Sequence, residues 1–200
     1  MDRSIYSRPD KPTFKRVVKR ERFQIGTSSA FDEIKACDFT VDSSTECHVT
    51  PPNIALRMFD YALDYGADVG GMWGDPQCGT GNLVQAMLDR GVPCENVVAI
   101  ERHLKLASYT ASRFNNLVDV KAECFLEFDK TSKVDVVLTN PPFSTVKKHM
   151  NATLDWLAPN GIIIALVPIT YSHPGMITLE ELPKGTFVTA NVMTKIIAII

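Results

Sequence analysis

The stretch that decides the fold is Val134-Asp-Val-Val-Leu-Thr-Asn-Pro-Pro-Phe143. Its first half, Val134 to Leu138, is short, almost wholly apolar and rich in β-branched residues. This pattern predicts a strand buried on both faces, as in a parallel sheet. Pro141 and Pro142 end the strand, because each proline keeps the preceding residue out of the helical region. We therefore expect a stiff, extended tetrapeptide at the carboxyl end of a strand, where open α/β sheets bind ligands.

The tetrapeptide Asn140–Phe143 combines hydrogen-bond acceptors with a flat apolar ring. Asn140 has a side-chain carbonyl oxygen, and the carbonyls of Pro141 and Pro142 accept without a competing N–H on the same residue. Phe143 offers a face for stacking. Such a site could hold a planar group that carries an NH2. The alternative interpretation is a proline turn that only ends the strand.

This tetrapeptide resembles the Asn-Pro-Pro-(Tyr/Phe) motif of S-adenosylmethionine-dependent methyltransferases that act on planar amino nitrogens. That family includes adenine-specific DNA methyltransferases and glutamine methyltransferases that act on proteins. The resemblance implies catalytic roles for Asn140, Pro141, Pro142 and Phe143. It also implies the cofactor S-adenosyl-L-methionine, no metal, and a doubly wound, mostly parallel seven-stranded sheet of the Rossmann-like class I type.

A glycine-rich loop lies upstream, between a predicted strand over Val69 to Trp73 and a helix. A strand, a glycine turn and a helix allow close approach of the backbone to a ligand. There is no third glycine and no Lys-Ser/Thr pair, which argues against a dinucleotide or P-loop phosphate site. The loop resembles the cofactor loop of the same family. The resemblance implies that Asp75, Gly79 and Gly81 face the amino-acid part of the cofactor.

Two further stretches resemble the parts of that family that bind the adenosine of the cofactor. Glu101 ends a predicted strand about twenty residues after the glycine loop, where a carboxylate can accept both ribose hydroxyls. An exposed glutamate at a strand end is the alternative. Glu123 and Cys124 precede Phe125 where the family has an acidic residue that accepts from the adenine amine. Here glutamate replaces the usual aspartate, and Cys124 is inserted.

Thr50 and Pro51 precede the first convincing helix. Threonine before proline predicts an N-cap with proline at the first helical positions. A Thr-Pro-Pro here is also similar to the family element that contacts the methionine part of the cofactor. The alternation of strands and helices from 69 to 167 predicts right-handed crossovers and a doubly wound sheet.

The C-terminal stretch, including Phe187, resembles the final strands of adenine methyltransferases. In that family a phenylalanine here helps to hold a flipped base, which favours nucleic acid over protein as substrate. Only about eight residues separate Val167 from Met176, whereas a parallel crossover needs a dozen or more. The spacing therefore predicts either a reduced helix over 177–182 or a distorted last crossover.

The N-terminus is strongly basic. Residues 1–22 carry a net charge of +5, whereas the remainder carries −7. This predicts a basic arm over 1–30 with a polyanionic partner. The resemblance implies that a methyltransferase domain follows over 31–200, without a separate target-recognition domain. A solvated tail is the alternative. The arm residues expected to contact the substrate are Arg16, Lys19 and Arg20.

The remaining composition points to a reducing, cytoplasmic setting. The five cysteines are scattered and form no Cys-x-x-Cys pair, which indicates free thiols. No secretory signal and no membrane span are expected. The resemblance to adenine methyltransferases implies methylation of the exocyclic amine of adenine in DNA. Alternatives are methylation of RNA or of a protein glutamine, a non-catalytic module, and a catalytic subunit that needs a separate recognition subunit.

Overall fold

The computed structural model describes residues 49–186 and 192–200. The expected basic arm over 1–30 lies outside the described residues. The helices are α1 (Pro52–Asp64), α2 (Asn82–Asp89), α3 (Leu104–Arg113) and α4 (Val146–Trp156), with short 3-10 turns at Cys94–Asn96 and Phe143–Thr145. The strands are β1 (Trp73–Asp75), β2 (Val97–Ile100), β3 (Asp119–Lys121), β4 (Val134–Thr139), β5 (Leu157–Pro168), β6 (Ile177–Leu182) and β7 (Thr194–Ile199).

Within the described chain, seven strands form one sheet in the order β3-β2-β1-β4-β5-β7-β6. The first five strands in this order pair in parallel. β7 is antiparallel to both β5 and β6. The expected seven-stranded, Rossmann-like architecture is therefore confirmed, but the sheet is mixed and not mostly parallel.

The last two strands correct the expectation for the C-terminal stretch. Residues 177–182 form strand β6 and not a reduced helix. β6 and β7 make an antiparallel pair, and β7 lies beside β5. Because β7 is antiparallel to both of its neighbours, β6 runs parallel to β5, and residues 169–176 connect these two strands without a helix. This connection is shorter than an ordinary parallel crossover, which agrees with the second alternative, a distorted last crossover.

The core fills both faces of the sheet. One cluster joins α1 and α2 to alternate residues of the central strands, including Phe59 and Trp73, whose rings stack 4.7 Å apart. The second cluster joins α4 to the other face and includes Phe125 and Trp156. A Cβ at Gly74 would overlap the indole ring of Trp156, so this strand position requires glycine. Burial on both faces explains why β4 and β5 are nearly continuous apolar runs.

The first strand begins at Trp73 and not at the predicted residue 69, because a turn comes before it. The carboxylate of Asp68 accepts from the N–H of Gly70 at 2.9 Å, and the Asp68 carbonyl accepts from Gly71 at 3.1 Å. These bonds form a turn immediately before the strand.

The N-cap of α1 is also different from the prediction. The helix begins after Pro51, without a side-chain cap. The Thr50 side chain, expected to cap this helix, instead accepts a hydrogen bond from Asn140. The expectation of a Thr50 cap was therefore wrong.

Candidate active site

A cavity of about 220 Å³ opens at the carboxyl ends of β1, β2 and β4. This edge is where open α/β sheets bind ligands. The lining draws on the residues before α1, the glycine loop, the stretch from the end of β2 into α3, the residues after β3, the loop after β4, and α4. Of the residues predicted from the sequence, the lining includes Thr50, Gly79, Glu101, Cys124, Asn140 and Pro142.

Asp75 is the last residue of β1 and is fully buried. One carboxylate oxygen, Oδ1, accepts from the N–H of Gln77 at 3.3 Å. The other, Oδ2, has no hydrogen-bond partner among the described residues. Burial raises the pKa of Asp75 to about 8, against the opposing effect of the Gln77 hydrogen bond. A buried acceptor without a donor is costly unless a ligand supplies one.

The glycine loop is held by α3. The hydroxyl of Thr110 donates to the carbonyl of Gly79 at 2.6 Å. The guanidinium of Arg113 donates to the carbonyl of Thr80 at 2.7 Å. Gly81 has φ +86°, and a Cβ there would lie 2.8 Å from the Phe114 ring. The second glycine of the loop is thus required both by backbone conformation and by packing.

Glu101 follows β2 and is half-buried. Its Oε2 accepts from the N–H of Gly79 at 3.1 Å, and its Oε1 accepts from the N–H of His103 at 2.8 Å. Burial raises the pKa of this carboxyl, while the two backbone hydrogen bonds oppose that rise. Glu101 therefore joins the glycine loop to the start of α3. Each carboxylate oxygen has a second lone pair with which it can accept from a ligand.

Asn140 and Thr50 meet although they are ninety positions apart. The Asn140 Nδ2 donates to the Thr50 Oγ1 at 3.1 Å. The carbonyl of Thr50 accepts from the side chain of Asn82, the first residue of α2, at 2.9 Å. These bonds fix the Asn140 amide with its nitrogen towards Thr50. They join the loop after β4 to the residues before α1 and to the start of α2.

The rest of the Asn-Pro-Pro-Phe stretch is less exposed than expected. Pro141 is buried, while Pro142 and Phe143 are half-buried. Phe143 begins a 3-10 turn and packs against the core cluster that contains α1. Its ring is not part of the cavity lining, although it was predicted to stack on a substrate base.

Of the two residues predicted to contact the cofactor adenine, only one lines the cavity. Glu123 is exposed and is not in the cavity lining, whereas Cys124 lines the cavity. Phe125 is buried in the second core cluster and also reaches the cavity. The predicted site residues Phe187, Arg16, Lys19 and Arg20 lie outside the described residues.

The sequence analysis did not identify three polar residues of this region. Gln77, in the glycine loop, accepts from the hydroxyl of Thr139 at 2.7 Å, and its Nε2 lies 3.0 Å from the His149 Nδ1. Gln77 and His149 both line the cavity. Burial, and secondarily the charge of Arg102, lowers the pKa of His149. Only their proximity in the fold identifies the three residues, because 72 positions separate Gln77 from His149.

Two features concern the described residues as a whole. These residues contain no group of three or more His, Cys, Asp and Glu side chains that could hold a metal ion. Nor does any helix among them have the length and apolar character needed to cross a membrane.

No protein-family model and no curated protein matches the chain. Solved structures do match. A candidate RNA methyltransferase from Pyrococcus horikoshii is 18% identical with a TM-score of 0.59, and the match covers 76% of this chain and 88% of that one. A methyltransferase subunit of a type I restriction-modification system from Streptococcus thermophilus is 16% identical with a TM-score of 0.64, over 76% of this chain and 44% of that one.

A third match is a candidate class I S-adenosylmethionine-dependent methyltransferase from Listeria monocytogenes. It is 17% identical with a TM-score of 0.64, over 92% of this chain and 68% of that one. At these identities the likeness establishes the fold. The chain thus has the fold of the class I methyltransferases, with its cavity at the carboxyl edge of the sheet.

Proposed function

We propose that this protein is an S-adenosylmethionine-dependent methyltransferase that methylates the exocyclic amine of adenine in DNA. The observation that carries the proposal is the Asn140–Thr50 hydrogen bond of 3.1 Å. It holds the Asn140 amide in the same cavity as Gly79 and Glu101. A candidate acceptor for a planar amine and a candidate cofactor site therefore share one cleft.

The residues present fit the cofactor. Asp75 is fully buried next to the lining residue Pro76 and is not itself in the lining. Its Oδ2 has no donor among the described residues, and the ammonium of an amino-acid moiety would supply one. Glu101 has lone pairs left to accept from two ribose hydroxyls. Thr50, Pro51, Gly79 and Gly81 would surround the methionine part, and Cys124 the adenine. When bound, S-adenosyl-L-methionine supplies a methyl group on a positively charged sulfur.

The chemistry assigned to Asn140 follows from the electronic structure of adenine. The lone pair of the exocyclic amine is delocalised into the ring, which makes the nitrogen a poor nucleophile. The Asn140 side-chain oxygen and the Pro141 carbonyl would each accept one hydrogen of the NH2. Their pull favours tetrahedral geometry at nitrogen and directs the lone pair towards the methyl donor. Catalysis of this kind consists of positioning and electrostatic stabilisation.

The base would have to leave the DNA helix, because a cavity at a sheet edge cannot reach an amine inside a duplex. Phe143 and Phe187 are the proposed stacking partners for the flipped base. Base–aromatic stacking is worth roughly 1–3 kcal/mol per base and would replace part of the stacking that is lost. Phe143 is half-buried against the core and lies outside the cavity lining, so stacking on a base would require its ring to move when substrate binds.

A separate recognition subunit is the second candidate arrangement. It is favoured by the likeness to a methyltransferase subunit of a type I restriction-modification system. In that arrangement this chain supplies methyl transfer and a partner selects the DNA sequence. The basic residues Arg16, Lys19 and Arg20 would add contacts to phosphate that do not depend on sequence.

A panel of acceptors tests the proposal. Isotopically labelled cofactor would be incubated with the protein and, in separate reactions, with DNA, RNA and an unfolded protein mixture rich in glutamine. Label in the DNA fraction is expected. Label only in RNA or only in protein would move the proposal to that substrate. Absence of cofactor binding by titration calorimetry would overturn the assignment as a methyltransferase.

A further inference from the structure

Three polar side chains form a hydrogen-bonded chain beside the cavity, and we call them the Gln77 bridge. Gln77 comes from the glycine loop, Thr139 is the last residue of β4, and His149 lies on α4. Thr139 is fully buried and His149 is 8% exposed. The chain therefore joins three elements within a region that is mostly shielded from water.

The hydrogen bonds of the Gln77 bridge indicate which ring nitrogen of His149 carries the hydrogen. The Gln77 Oε1 accepts from the Thr139 hydroxyl at 2.7 Å, so its Nε2 is the donor that faces the His149 Nδ1 at 3.0 Å. Nδ1 is then an acceptor, and the ring hydrogen is on Nε2. Burial lowers the pKa of His149, which favours this neutral form.

The ring of His149 is also fixed by packing. It stacks on Phe125, with ring centroids 6.5 Å apart and planes inclined by 19°. Phe125 in turn meets Trp156 edge-on at 5.4 Å. The Gln77 bridge is thus anchored to the aromatic part of the core and cannot move independently of it.

The Gln77 bridge lies between the candidate cofactor loop and the loop that carries Asn140. Gln77 lies two residues after Asp75 and two before Gly79, in the candidate cofactor loop. Thr139 immediately precedes Asn140, the candidate acceptor for the substrate amine. On the other side, Thr50 holds Asn140 at 3.1 Å. The two loops are therefore connected through two independent sets of hydrogen bonds.

We propose that Gln77, Thr139 and His149 act as one positioning unit that sets the separation between the cofactor loop and the Asn140 loop. The inference rests on the proposed methyl transfer. Methyl transfer requires the amine and the methyl group to be aligned, and a misplacement of about 1 Å can cost on the order of a hundredfold in rate. Loss of the Gln77 bridge should therefore lower kcat much more than it weakens cofactor binding.

A double-mutant cycle tests this unit. Gln77→Met removes both hydrogen bonds at similar volume, and His149→Phe keeps a ring to stack on Phe125. Each single variant should lower kcat about tenfold or more, the scale of a lost buried hydrogen bond. The double variant should lose no more than the more affected single variant, because members of one unit are not additive. The cofactor Kd should stay within threefold.

Two further variants distinguish an effect on positioning, seen in kcat, from an effect on stability, seen in the melting temperature. Asn at position 149 can place an amide oxygen near the position of Nδ1, so His149→Asn should restore most of the kcat that His149→Phe loses. Thr153→Val removes a buried hydrogen bond of 2.9 Å to the His149 carbonyl on the same helix. It should lower the melting temperature without lowering kcat.

Nitrogen NMR of the His149 ring provides a readout that needs no activity, and it should show hydrogen on Nε2 and a hydrogen-bonded, unprotonated Nδ1. Additive losses in the cycle, or an unchanged kcat in Gln77→Met, would overturn the positioning unit. If the wild-type protein is active in the same experiment, the proposed function stands. A wild-type protein that binds cofactor but transfers no methyl group to any acceptor overturns the proposed function itself. Hydrogen on Nδ1 overturns the Gln77 bridge even if activity is present.

Discussion

At the scale of single residues, the site consists of polar groups whose partners come from distant parts of the sequence. Asn140 pairs with Thr50, and Glu101 accepts from the backbone of Gly79. The sequence motifs identified these four residues but none of the pairings. The motifs did not identify Gln77, because its partners Thr139 and His149 are brought to it only by the fold. Side-chain contacts of this kind have no period or spacing that a single sequence can show.

The first prediction concerns Asn140. Asn140→Ala should lower turnover by at least about a hundredfold, the usual scale for one positioned transition-state acceptor. Cofactor affinity, measured by calorimetry, should change by no more than a few-fold. Thr50→Val is the matched control, because it removes the hydroxyl that orients Asn140 and keeps the Asn140 oxygen. Thr50→Val should lower turnover less than Asn140→Ala does. A fully active Asn140→Ala protein would show that Asn140 has no role in the mechanism.

The second prediction concerns Asp75, whose pKa burial raises from 3.8 to about 8. An acid with a raised pKa in the folded state loses stabilisation as pH rises between its unfolded and folded pKa values. The free energy of unfolding of the cofactor-free protein should therefore contain a term that falls between pH 4 and pH 8. Urea titrations across this range should show a smaller fall in Asp75→Asn. Asp89→Asn, at an exposed carboxyl, is the control and should match the wild type.

Proton release on cofactor binding provides a second test of the role of Asp75. A cofactor ammonium favours the ionised carboxylate, so binding below pH 8 should release a proton from Asp75. Calorimetry in two buffers of different ionisation enthalpy detects that release. Identical binding enthalpies in the two buffers would contradict the assignment of Asp75 to the ammonium.

At the scale of elements, periodicity predicted most of the fold. The strands at 97–100 and 134–139 and the helices after Thr50 and after the glycine loop were predicted close to where they lie. The β6–β7 pair was not, because strand direction depends on long-range pairing that local pattern does not encode. The short connection after Val167 did signal an irregular crossover, since β6 lies parallel to β5 and residues 169–176 form no helix. The position of β7 between β5 and β6, antiparallel to both, was not predicted.

The third prediction belongs to this scale, because Glu101 connects β2, the glycine loop and α3. Glu101→Ala should weaken S-adenosyl-L-methionine binding by roughly 2–3 kcal/mol, as expected for a charged group that accepts two hydrogen bonds. The structure adds that the Gly79 and His103 N–H groups lose their acceptor as well. Glu127→Ala, at an exposed position, is the control. Unchanged affinity by calorimetry would return Glu101 to a purely structural role.

At the scale of the whole molecule, charge is unevenly distributed along the chain. Residues 1–22 carry +5 and the remainder carries −7. An acidic body repels a polyanion, so a DNA substrate would need phosphate contacts from the basic arm or from a partner. The arm lies outside the described residues, and its role remains a prediction from the sequence.

The fourth prediction follows from this distribution. Deleting residues 1–22 should weaken DNA binding and flatten its dependence on salt, because fewer counterions are released. Cofactor affinity should not change, since the described cavity begins at Val49. Binding isotherms at several salt concentrations, for both proteins, measure the two slopes. Equal slopes would mean that the arm is a solvated tail and that DNA is held by a partner or not at all.

The central claim is methyl transfer to the adenine amine of DNA, and one measurement addresses it most directly. The protein is incubated with labelled S-adenosyl-L-methionine and unmethylated DNA, the DNA is digested to nucleosides, and the labelled nucleoside is identified by chromatography and mass spectrometry. An Asn140→Ala protein in parallel excludes a contaminating enzyme. We expect label in N6-methyldeoxyadenosine from the wild-type protein alone. Label in another nucleoside, or equal label with Asn140→Ala, would contradict the claim.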